Sequence, residues 1–388
     1  MEGPRAVKQT EFNEALALAN RVFRTGVDQN MSTDYPLVFT SSNLENVRVV
    51  LEDRRIISHA AMAERELGEK GCVLPISMIC AMATDPTYRK RGAATKIIED
   101  AITTMHARGN VFGLLWTGEA RDFYRRLGWE VIGSNGWAYL IQPDQASQFD
   151  QSLRVRSYQG AKDLKWIMKT YEAHPSQVVR THYDYQRLFG LPKVRVWVAE
   201  EADQLEGYLV LAEAYNKSGV VEWGGSSQAL SSLLSQVLSS GRNDPLQVFV
   251  PIDSNPMTDL LTSKGYQDRI PMEEADGCGL KMVRILSLKA LFQKLSPHLQ
   301  VQLRRCSGQL GVVVAETGER VSLEWDDNHI TVGSARIAGE KRLSLHQAAR
   351  FIFGPEKPSA IIDLPEPIAQ DLDRVFPFGF HIWMLDYV

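Results

Sequence analysis

The segment Met82-Ala-Thr-Asp-Pro-Thr-Tyr-Arg-Lys-Arg-Gly-Ala-Ala-Thr95 decides the fold of this chain. The apolar run 75–82 predicts a strand before it, and apolar residues at helical spacing over 94–105 predict a helix after it. A strand, a glycine-containing turn and a helix N-terminus form a site for an anion, because free backbone N–H groups and the helix dipole favour negative charge there. Gly92 allows a phosphate to approach the backbone, and the three basic residues 89–91 add positive charge.

A second segment downstream strengthens this interpretation. It runs Leu114-Leu-Trp-Thr-Gly-Glu-Ala-Arg-Asp-Phe-Tyr-Arg-Arg-Leu-Gly-Trp-Glu-Val131 and is typical of a strand, a short helix and a Gly-aromatic turn into another strand. Together the two segments resemble motifs A and B of the GNAT acyltransferases. That resemblance implies that the turn Arg89-x-x-Gly92-x-Ala94 holds the pyrophosphate of acetyl-CoA and that Tyr124 lies near the thioester sulfur.

The resemblance also assigns residues to the cofactor, acetyl-CoA, which would serve as cosubstrate. They are Met82 and Thr84, through their backbone, and Arg89, Lys90, Arg91, Gly92, Ala93, Ala94 and Thr95 around the pyrophosphate. Tyr124 is the predicted general acid toward the departing thiolate, since a phenol with a pKa near 10 keeps its proton at rest. Structural roles stay open, as solvated charges for Lys90 and Arg91 and as a core aromatic for Tyr124.

Length, charge and cysteine content limit the possible domain number, partners and metal sites. A chain of 388 residues predicts two or three domains, and a net charge of −4 indicates no general attraction to nucleic acid or membrane surfaces. The four cysteines lack Cys-x-x-Cys spacing and the eight histidines lack His-x-x-x-His spacing, so we predict reduced thiols and no metal. We find no signal-peptide pattern and no apolar run near 18 residues, and therefore expect a soluble, cytoplasmic protein.

The chain divides into three predicted segments. Residues 1–145 form the expected catalytic GNAT domain and residues 146–284 a degenerate GNAT-like domain. Asp259-Leu-Leu-Thr-Ser-Lys-Gly-Tyr266 matches Asp122-Phe-Tyr-Arg-Arg-Leu-Gly-Trp129 in spacing and character, which indicates an internal repeat. In the second copy Leu261 stands where the first has Tyr124, and the stretch expected at the phosphate turn, 222–228, lacks the Arg-x-x-Gly-x-Ala pattern. A plain α+β domain is the alternative for this segment.

Residues 285–388 form the third segment. The patterns predict a helix at 287–295, short strands within 311–332 and two further helices at 344–353 and 367–376. This order is similar to a sterol-carrier-protein-like domain, for which we favour a scaffolding role. The predicted fold class is thus α/β (α+β), with tandem GNAT folds and a small α+β domain. As a whole, this layout resembles the Eis-like acetyltransferases, and it implies an N-acetyltransferase. The alternative is an acyl-CoA-sensing lipid- or peptide-binding protein.

The general base is less defined than the acid. The Eis-like resemblance offers the C-terminal carboxylate, here Val388, buried against the first domain, although well-known members end in an aromatic residue. The apolar tail Pro377–Val388 favours docking, because most termini are polar and frayed. His59, placed in a strand, and Glu119, at the start of the motif B helix, are the other candidates, and we expect both to be structural.

The resemblance implies that the acceptor is an amine of a small polyamine, an aminoglycoside-like molecule or an exposed lysine. A pocket for such an amine should carry carboxylates, and the expected cleft has nearby acidic and aromatic residues. These are Asp28, Asp34 and Glu45, with Phe23, Tyr35 and Trp116 as candidate walls. Ordinary surface and core roles are favoured for each. The oligomeric state stays open, with a homo-oligomer as one expectation.

Overall fold

The structure is a computed structural model, and the chain folds as two compact units. It describes every residue except Asp28, Asn135, Tyr215, Asn216, Asp276, Cys278, Asn328 and Val388. The first unit comprises Met1–Gly133 and Leu280–Gly379, and the second comprises Ser134–Gly279 and Phe380–Tyr387. Within these described ranges, none of the helices combines the length and apolar character that crossing a bilayer requires.

The first part of the first unit contains the elements that the sequence motifs predict. Its strands are β1 (Glu2–Ala6), β2 (Val47–Glu52), β3 (Arg55–Glu69), β4 (Cys72–Thr84), β5 (Phe112–Thr117) and β6 (Glu130–Val131). Its helices are α1 (Phe12–Phe23), α2 (Met31–Asp34), α3 (Ala93–Ala107) and α4 (Arg121–Arg125), with 3-10 turns at Gln9–Glu11, Ser41–Asn46 and Pro86–Tyr88. Helix α3 buries Ile97, Ile98, Ala101 and Met105, as their helical spacing predicts.

The second unit follows in sequence. Its strands are β7 (Gly136–Ile141), β8 (Arg154–Ser157), β9 (Ser176–Val178), β10 (Val194–Glu201), β11 (Gln204–Ala214), β12 (Lys217–Gly225), β13 (Leu246–Pro251) and β14 (Arg269–Pro271). Its helices are α5 (Ala161–Glu172), α6 (His182–Phe189), α7 (Ser227–Leu238), α8 (Pro256–Ser263) and α9 (Met272–Ala275), with 3-10 turns at Pro143–Gln148 and Met384–Asp386.

The remaining elements complete the first unit. They are β15 (Leu280–Ile285), β16 (Gly308–Val314), β17 (Arg320–Trp325), β18 (Ile330–Gly333) and β19 (Lys341–Leu343), with α10 (Leu288–Gln302), α11 (Leu345–Phe353), α12 (Pro358–Ile361) and α13 (Glu366–Val375). The strands β16 to β19 form a sheet in the order β18-β17-β16-β19. The predicted helices at 287–295, 344–353 and 367–376 correspond to α10, α11 and α13.

The main sheet of the first unit has the strand order β1-β2-β3-β4-β5-β15-β6. Strands β4 and β5 run parallel and pair at Ile76–Phe112, Ser77–Gly113 and Met78–Leu114. Among the described residues no further pair joins them, although β4 continues to Thr84 and β5 to Thr117. The two strands therefore leave part of their facing backbone edges unpaired at the end where α3 begins.

The sheet of the second unit repeats this plan in the order β14-β7-β13-β12-β11-β10-β8. Its parallel pair is β12 and β13, joined at Val220 and Val248 and connected by α7. The predicted internal repeat is visible in matching turns. Gly128 has a φ of +83° and Gly265 a φ of +91°, and the following aromatic residue donates its N–H to the carbonyl of Tyr124 in one copy and Leu261 in the other, at 3.2 and 3.1 Å.

Strand pairing places the unit boundaries differently from the predicted segments 1–145, 146–284 and 285–388. Strand β15 lies next to β5 in the first sheet, with Val283 opposite Leu114, although residues Ser134–Gly279 of the second unit lie between the two strands in sequence. Strand β7 lies beside β13, with Val248 opposite Tyr139. Each sheet thus takes a strand from beyond the expected boundary, and the segment 285–379 belongs to the first unit.

Candidate active site

The turn between β4 and α3 is held by Asp85. Its Oδ1 accepts hydrogen bonds from the backbone N–H and hydroxyl of Thr87, at 3.1 and 2.7 Å, and its Oδ2 accepts one from Arg55 Nη2 at 3.0 Å. The Thr87 hydroxyl is the largest influence that lowers the pKa of this carboxyl, and the charges of Arg55 and Arg21 act in the same direction. Sequence analysis did not single out Asp85, although Asp-Pro-Thr is a recognisable start of a helical turn.

The N-terminus of α3 is open to an anion. Gly92 is the residue before the helix, with a φ of +84°, and it offers no side chain to cap the helix. The first intrahelical bond runs from the Lys96 N–H to the Gly92 carbonyl at 3.1 Å. The N–H groups of Ala93, Ala94 and Thr95 have no hydrogen-bond partner among the residues that the structure describes. A Cβ on Gly92 would meet no atom within 4 Å, so the space over the turn is free.

The basic residues of the turn are exposed, and Arg91 is already in contact with two neighbouring side chains. Lys90 lies in the left-handed region with a φ of +62°, and Arg91 lies 5.0 Å from the Tyr88 ring and 3.4 Å from the Glu52 carboxylate. Arg89 borders an open cleft of about 710 Å³. The other residues of this cleft are Leu18, Asn20, Arg21, Val22, Arg24, Thr25 and Pro86. The positive charge that the sequence predicted is therefore close to the unsatisfied N–H groups.

Strand β4 is irregular where the resemblance placed the cofactor carbonyl. His59 pairs with Ala83 and Ala61 with Cys80, so β4 contains one extra residue, a bulge around Ala81 and Met82. Ala81 has a φ of +51°. Beyond the bulge, the Thr84 hydroxyl lies 2.7 Å from that of Ser58, which is fully buried. A bulge bends the strand and leaves an extra residue outside the regular ladder, so the backbone of Met82 can face a ligand.

Tyr124, on α4, is buried with 7% exposure in the same apolar cluster as Ile79 and Leu115, against which Met82 packs. Its ring contacts that of Trp129, with centroids 6.2 Å apart. Within the described part of the chain its hydroxyl has no hydrogen-bond partner. Burial, and more weakly the nearby Cys80, raises the pKa of the phenol above its ordinary value. Tyr124 therefore stays protonated at neutral pH, beside the place where β4 and β5 part.

The candidate bases are in contrasting surroundings. His59 is fully buried, neither ring nitrogen has a hydrogen-bond partner among the described residues, and burial lowers its pKa to about 4. Glu119 is exposed at the start of the loop before α4. Val388 lies outside the described residues. The preceding tail, expected in the cleft of the first domain, instead packs inside the second unit, where Trp383 is fully buried and Asp386 is 4% exposed.

The described residues expected around the amine differ in exposure and in pairing. Asp34 accepts a hydrogen bond from Arg24 Nε at 2.7 Å, so its charge is already paired. Glu45 is exposed, and Asp28 lies outside the described residues. Tyr35 is buried, with Arg24 5.8 Å from its ring, while Phe23 and Trp116 are partly buried. Within the ranges that can be described, no group of three or more His, Cys, Asp or Glu could hold a metal ion.

Comparison with known proteins agrees with this geometry. Residues 4–132 match the family described as acetyltransferase (GNAT) domain, so this part of the chain is a GNAT acetyltransferase domain. No curated protein matches the chain significantly.

Solved structures share the fold over nearly the whole length, each at 16% identity. A probable N-acyltransferase from Enterococcus faecalis covers 99% of this chain and 98% of its own, with a TM-score of 0.78. A GCN5-related N-acetyltransferase from Kribbella flavida and Eis1 from Mycobacterium abscessus each cover 99% of both chains, with TM-scores of 0.72 and 0.65. The prediction of an α/β chain with tandem GNAT-like folds is confirmed, and the chain carries an acetyltransferase domain, as expected for an enzyme of this class.

Proposed function

We propose that this chain is an acetyl-CoA-dependent N-acetyltransferase that transfers the acetyl group directly to an amine. The observation that carries the proposal is the combination, in one unit, of the uncapped N-terminus of α3 with a buried, protonated Tyr124 beside the parting strands β4 and β5. The first feature supports binding of a phosphate and the second supports proton donation in a site sheltered from water.

The cofactor residues are proposed as follows. The pyrophosphate accepts hydrogen bonds from backbone N–H groups at the start of α3, and the basic side chains of the turn neutralise its charge. These residues are Arg89, Lys90, Arg91, Gly92, Ala93, Ala94 and Thr95. The backbone of Met82 and Thr84 binds the pantetheine and polarises the thioester carbonyl. The bulge at Met82 and the free space over Gly92 support this assignment.

The proposed chemistry is one acyl transfer. The amine nitrogen attacks the thioester carbonyl carbon, the carbon–sulfur bond breaks, and the acetyl group remains on nitrogen as an amide. A base takes one proton from the nitrogen, and the Tyr124 hydroxyl gives its proton to the sulfur. A general acid must carry its proton at rest, and burial, which raises the pKa of Tyr124, keeps the hydroxyl in that form at neutral pH.

We propose the C-terminal carboxylate of Val388 as the base. A free α-carboxyl has a pKa of about 3.3–3.7, and burial would raise it toward the value that the role needs. His59 is a poorer candidate, because an imidazole with a pKa of about 4 is a weak base and this one is sealed from solvent. If Val388 does not serve, Glu119 or a water held by backbone carbonyls takes its place.

The acceptor is proposed to be a primary amine of a small polyamine, an aminoglycoside-like molecule or an exposed lysine, encountered in the cytoplasm. A second candidate function is acyl-CoA-dependent binding of a lipid or peptide. An open cavity of about 360 Å³ beside β16 is one observation in its favour. Its apolar lining residues include Leu310, Ile337, Leu364, Pro365 and Ile368.

Thiol release from acetyl-CoA across a panel of amines tests the proposal and separates the two functions. Tyr124→Phe should lower turnover about 100- to 10,000-fold while the Kd for acetyl-CoA changes little, because the ring still packs. Tyr266→Phe is the matched control, since it removes a hydroxyl bonded to Gln145 in the second unit. Acetyl-CoA binding without release of thiol for any amine would favour the binding protein. Wild-type turnover in Tyr124→Phe would show that Tyr124 is a core aromatic.

A further inference from the structure

The second unit contains the counterpart of the cofactor cleft, but a side chain of its own spans it. Strands β12 and β13 are joined at Val220–Val248 and then diverge, as β4 and β5 do. Trp223, fully buried on β12, donates its indole N–H to the Phe249 carbonyl on β13 at 3.0 Å. The backbone edge that would be free for a ligand is thus occupied from within.

The helix N-terminus at this position is also occupied. The residue before α7 is Ser226, and its hydroxyl accepts a hydrogen bond from the Ala229 N–H at 3.2 Å. In the first unit the same place is taken by Gly92, which leaves the N–H groups free. A phosphate at α7 would have to displace an internal hydrogen bond, so the second unit lacks the anion site of the first.

The chain's own C-terminal segment packs against this place. Trp383 is fully buried, its ring centroid lies 5.4 Å from that of Trp223 and 4.9 Å from that of His174, and its indole N–H donates to the Ser176 carbonyl at 3.0 Å. The segment 380–387 is therefore part of the core of the second unit, held by aromatic contacts and a directed hydrogen bond.

A buried arginine binds the end of the segment. Arg180 donates from Nε to Asp386 Oδ1 at 2.8 Å and from Nη2 to Oδ2 at 2.6 Å, so it binds the carboxylate in a bidentate manner. Tyr171 donates its hydroxyl to Oδ2 at 3.0 Å. The same Arg180 donates to Glu222 at 2.7 Å, and Tyr208 donates to the other oxygen of Glu222 at 3.1 Å.

These charges are removed from water. The side chains of Arg180 and Asp386 are each 1% exposed and that of Glu222 is 0% exposed. A carboxylate is expensive to bury unless it is paired and hydrogen-bonded, so the Arg180 site favours a tail that carries Asp386 at this position over a tail without it. Such a site discriminates one chain conformation from the many that a free terminus adopts.

We propose that the second unit is an intramolecular binding site for the C-terminal segment, with Arg180 as the residue that recognises it, and that it thereby positions the terminal carboxylate two residues beyond Asp386. The last part of this inference rests on the proposed function, in which that carboxylate is the base. Arg180 is then a positioning residue, and the tail is the ligand of a unit that has lost its cofactor.

Hydrogen exchange of residues 380–387 in the full chain measures tail binding directly. Asp386→Asn keeps the size of the side chain and removes its charge, and Arg180→Met removes the recognising group. Both are expected to speed exchange of the tail at least tenfold. Arg156→Met is the matched control, because Arg156 also bridges two carboxylates in this unit, Asp163 and Glu200, at 2.7 and 2.8 Å.

Chemical rescue identifies the carboxylate as the recognised group. Acetate added to Asp386→Ala should restore protection of 380–387, and acetamide, which has the same shape but no charge, should not. Unchanged tail exchange in Asp386→Asn, or equal acceleration in Arg156→Met, would overturn the inference. Asp386→Asn alone suffices if Arg180→Met does not fold.

Turnover measured on the same variants separates this inference from the proposed function. Release of the tail with a fall in kcat and an unchanged KM for acetyl-CoA supports both. Release of the tail with unchanged kcat leaves the binding site in place and refutes Val388 as the base. A tail that stays protected in Asp386→Asn and Arg180→Met refutes the Arg180 site, whatever the activity.

Discussion

Replacing Gly92 by alanine is expected to weaken acetyl-CoA binding through the backbone alone. Gly92 has a φ of +84°, and a Cβ built there meets no atom within 4 Å, so alanine would clash with nothing in the protein. The cost is conformational, because an L-residue in the left-handed region is about 1–2 kcal/mol less stable than in its preferred regions. The turn can relieve that strain only by moving the N–H groups at the start of α3.

The size of the effect follows from the contacts at risk. A hydrogen bond to a charged group contributes about 1.5–3 kcal/mol, and about 1.4 kcal/mol corresponds to tenfold in Kd. Misplacing one N–H should therefore raise the Kd for acetyl-CoA about 10- to 100-fold, as measured by calorimetry. Gly92→Val should weaken binding further, because its larger side chain enters the space left for the phosphates.

Gly71→Ala is the control for backbone strain. Gly71 has a φ of +78° in the turn between β3 and β4, and a Cβ there also meets nothing within 4 Å. Both alanine variants should lose about 1–2 kcal/mol of unfolding free energy in urea, and only Gly92→Ala should lose affinity. Equal Kd values for Gly92→Ala and the wild type would refute the reasoning, as would an equal loss of affinity in Gly71→Ala.

Three further expectations concern protonation and capping. Burial lowers the pKa of His59 to about 4, from about 6.5 in the unfolded chain, so the unfolding free energy should fall by up to about 3 kcal/mol as the pH drops from 6.5 toward 4. His59→Leu should make this fall smaller in urea unfolding at each pH, and an identical fall in the variant would contradict the expectation. Because the pKa of Tyr124 is raised, its ionisation should not lower kcat of the wild type below pH 10. A pH–rate profile that falls below pH 10 in the wild type but not in Tyr124→Phe would contradict this. Glu319 accepts hydrogen bonds from the backbone N–H groups of Leu288 and Lys289, at 2.9 and 3.2 Å. Glu319→Gln should therefore lower the unfolding free energy by about 1 kcal/mol, whereas Glu324→Gln, at an exposed position, should leave it unchanged.

The turn between β4 and α3 could be predicted because its determinants are close in sequence. Gly92 with small residues after it and apolar residues at helical spacing specify a strand-turn-helix unit locally, and α3 begins at Ala93 as the pattern indicates. The repeat was recognisable for the same reason, since Gly128 and Gly265 both have a positive φ and lie at the same spacing after Tyr124 and Leu261.

Long-range pairing could not be predicted in this way. Strand β15 pairs with β5 although the elements from α4 to α9 lie between the two strands in sequence, and no local pattern identifies its partner. The ion pair between Arg180 and Asp386 spans 206 residues. Neither residue lies in a motif, and an isolated charge in a sequence is typical of an exposed surface. The apolar tail predicted burial in the cleft of the first domain, whereas residues 380–387 pack in the second unit, because apolarity does not specify which unit receives a segment.

The two units share one fold but differ at the helix N-terminus, because the fold depends on many buried residues whereas the state of the helix N-terminus depends on few groups. Both helices bury apolar residues one turn apart, Ile97 and Ala101 on α3 and Leu230 and Leu234 on α7. Leu261 is fully buried where Tyr124 lies in the other copy. In the second unit Ser226 stands before α7, and its hydroxyl satisfies the Ala229 N–H within the protein, whereas Gly92 before α3 offers no side chain to do so. Trp223 then bridges the parted strands and offers an aromatic face to Trp383. Ser226→Gly alone is therefore not expected to create acetyl-CoA binding in the second unit, because the indole of Trp223 would still bridge β12 and β13.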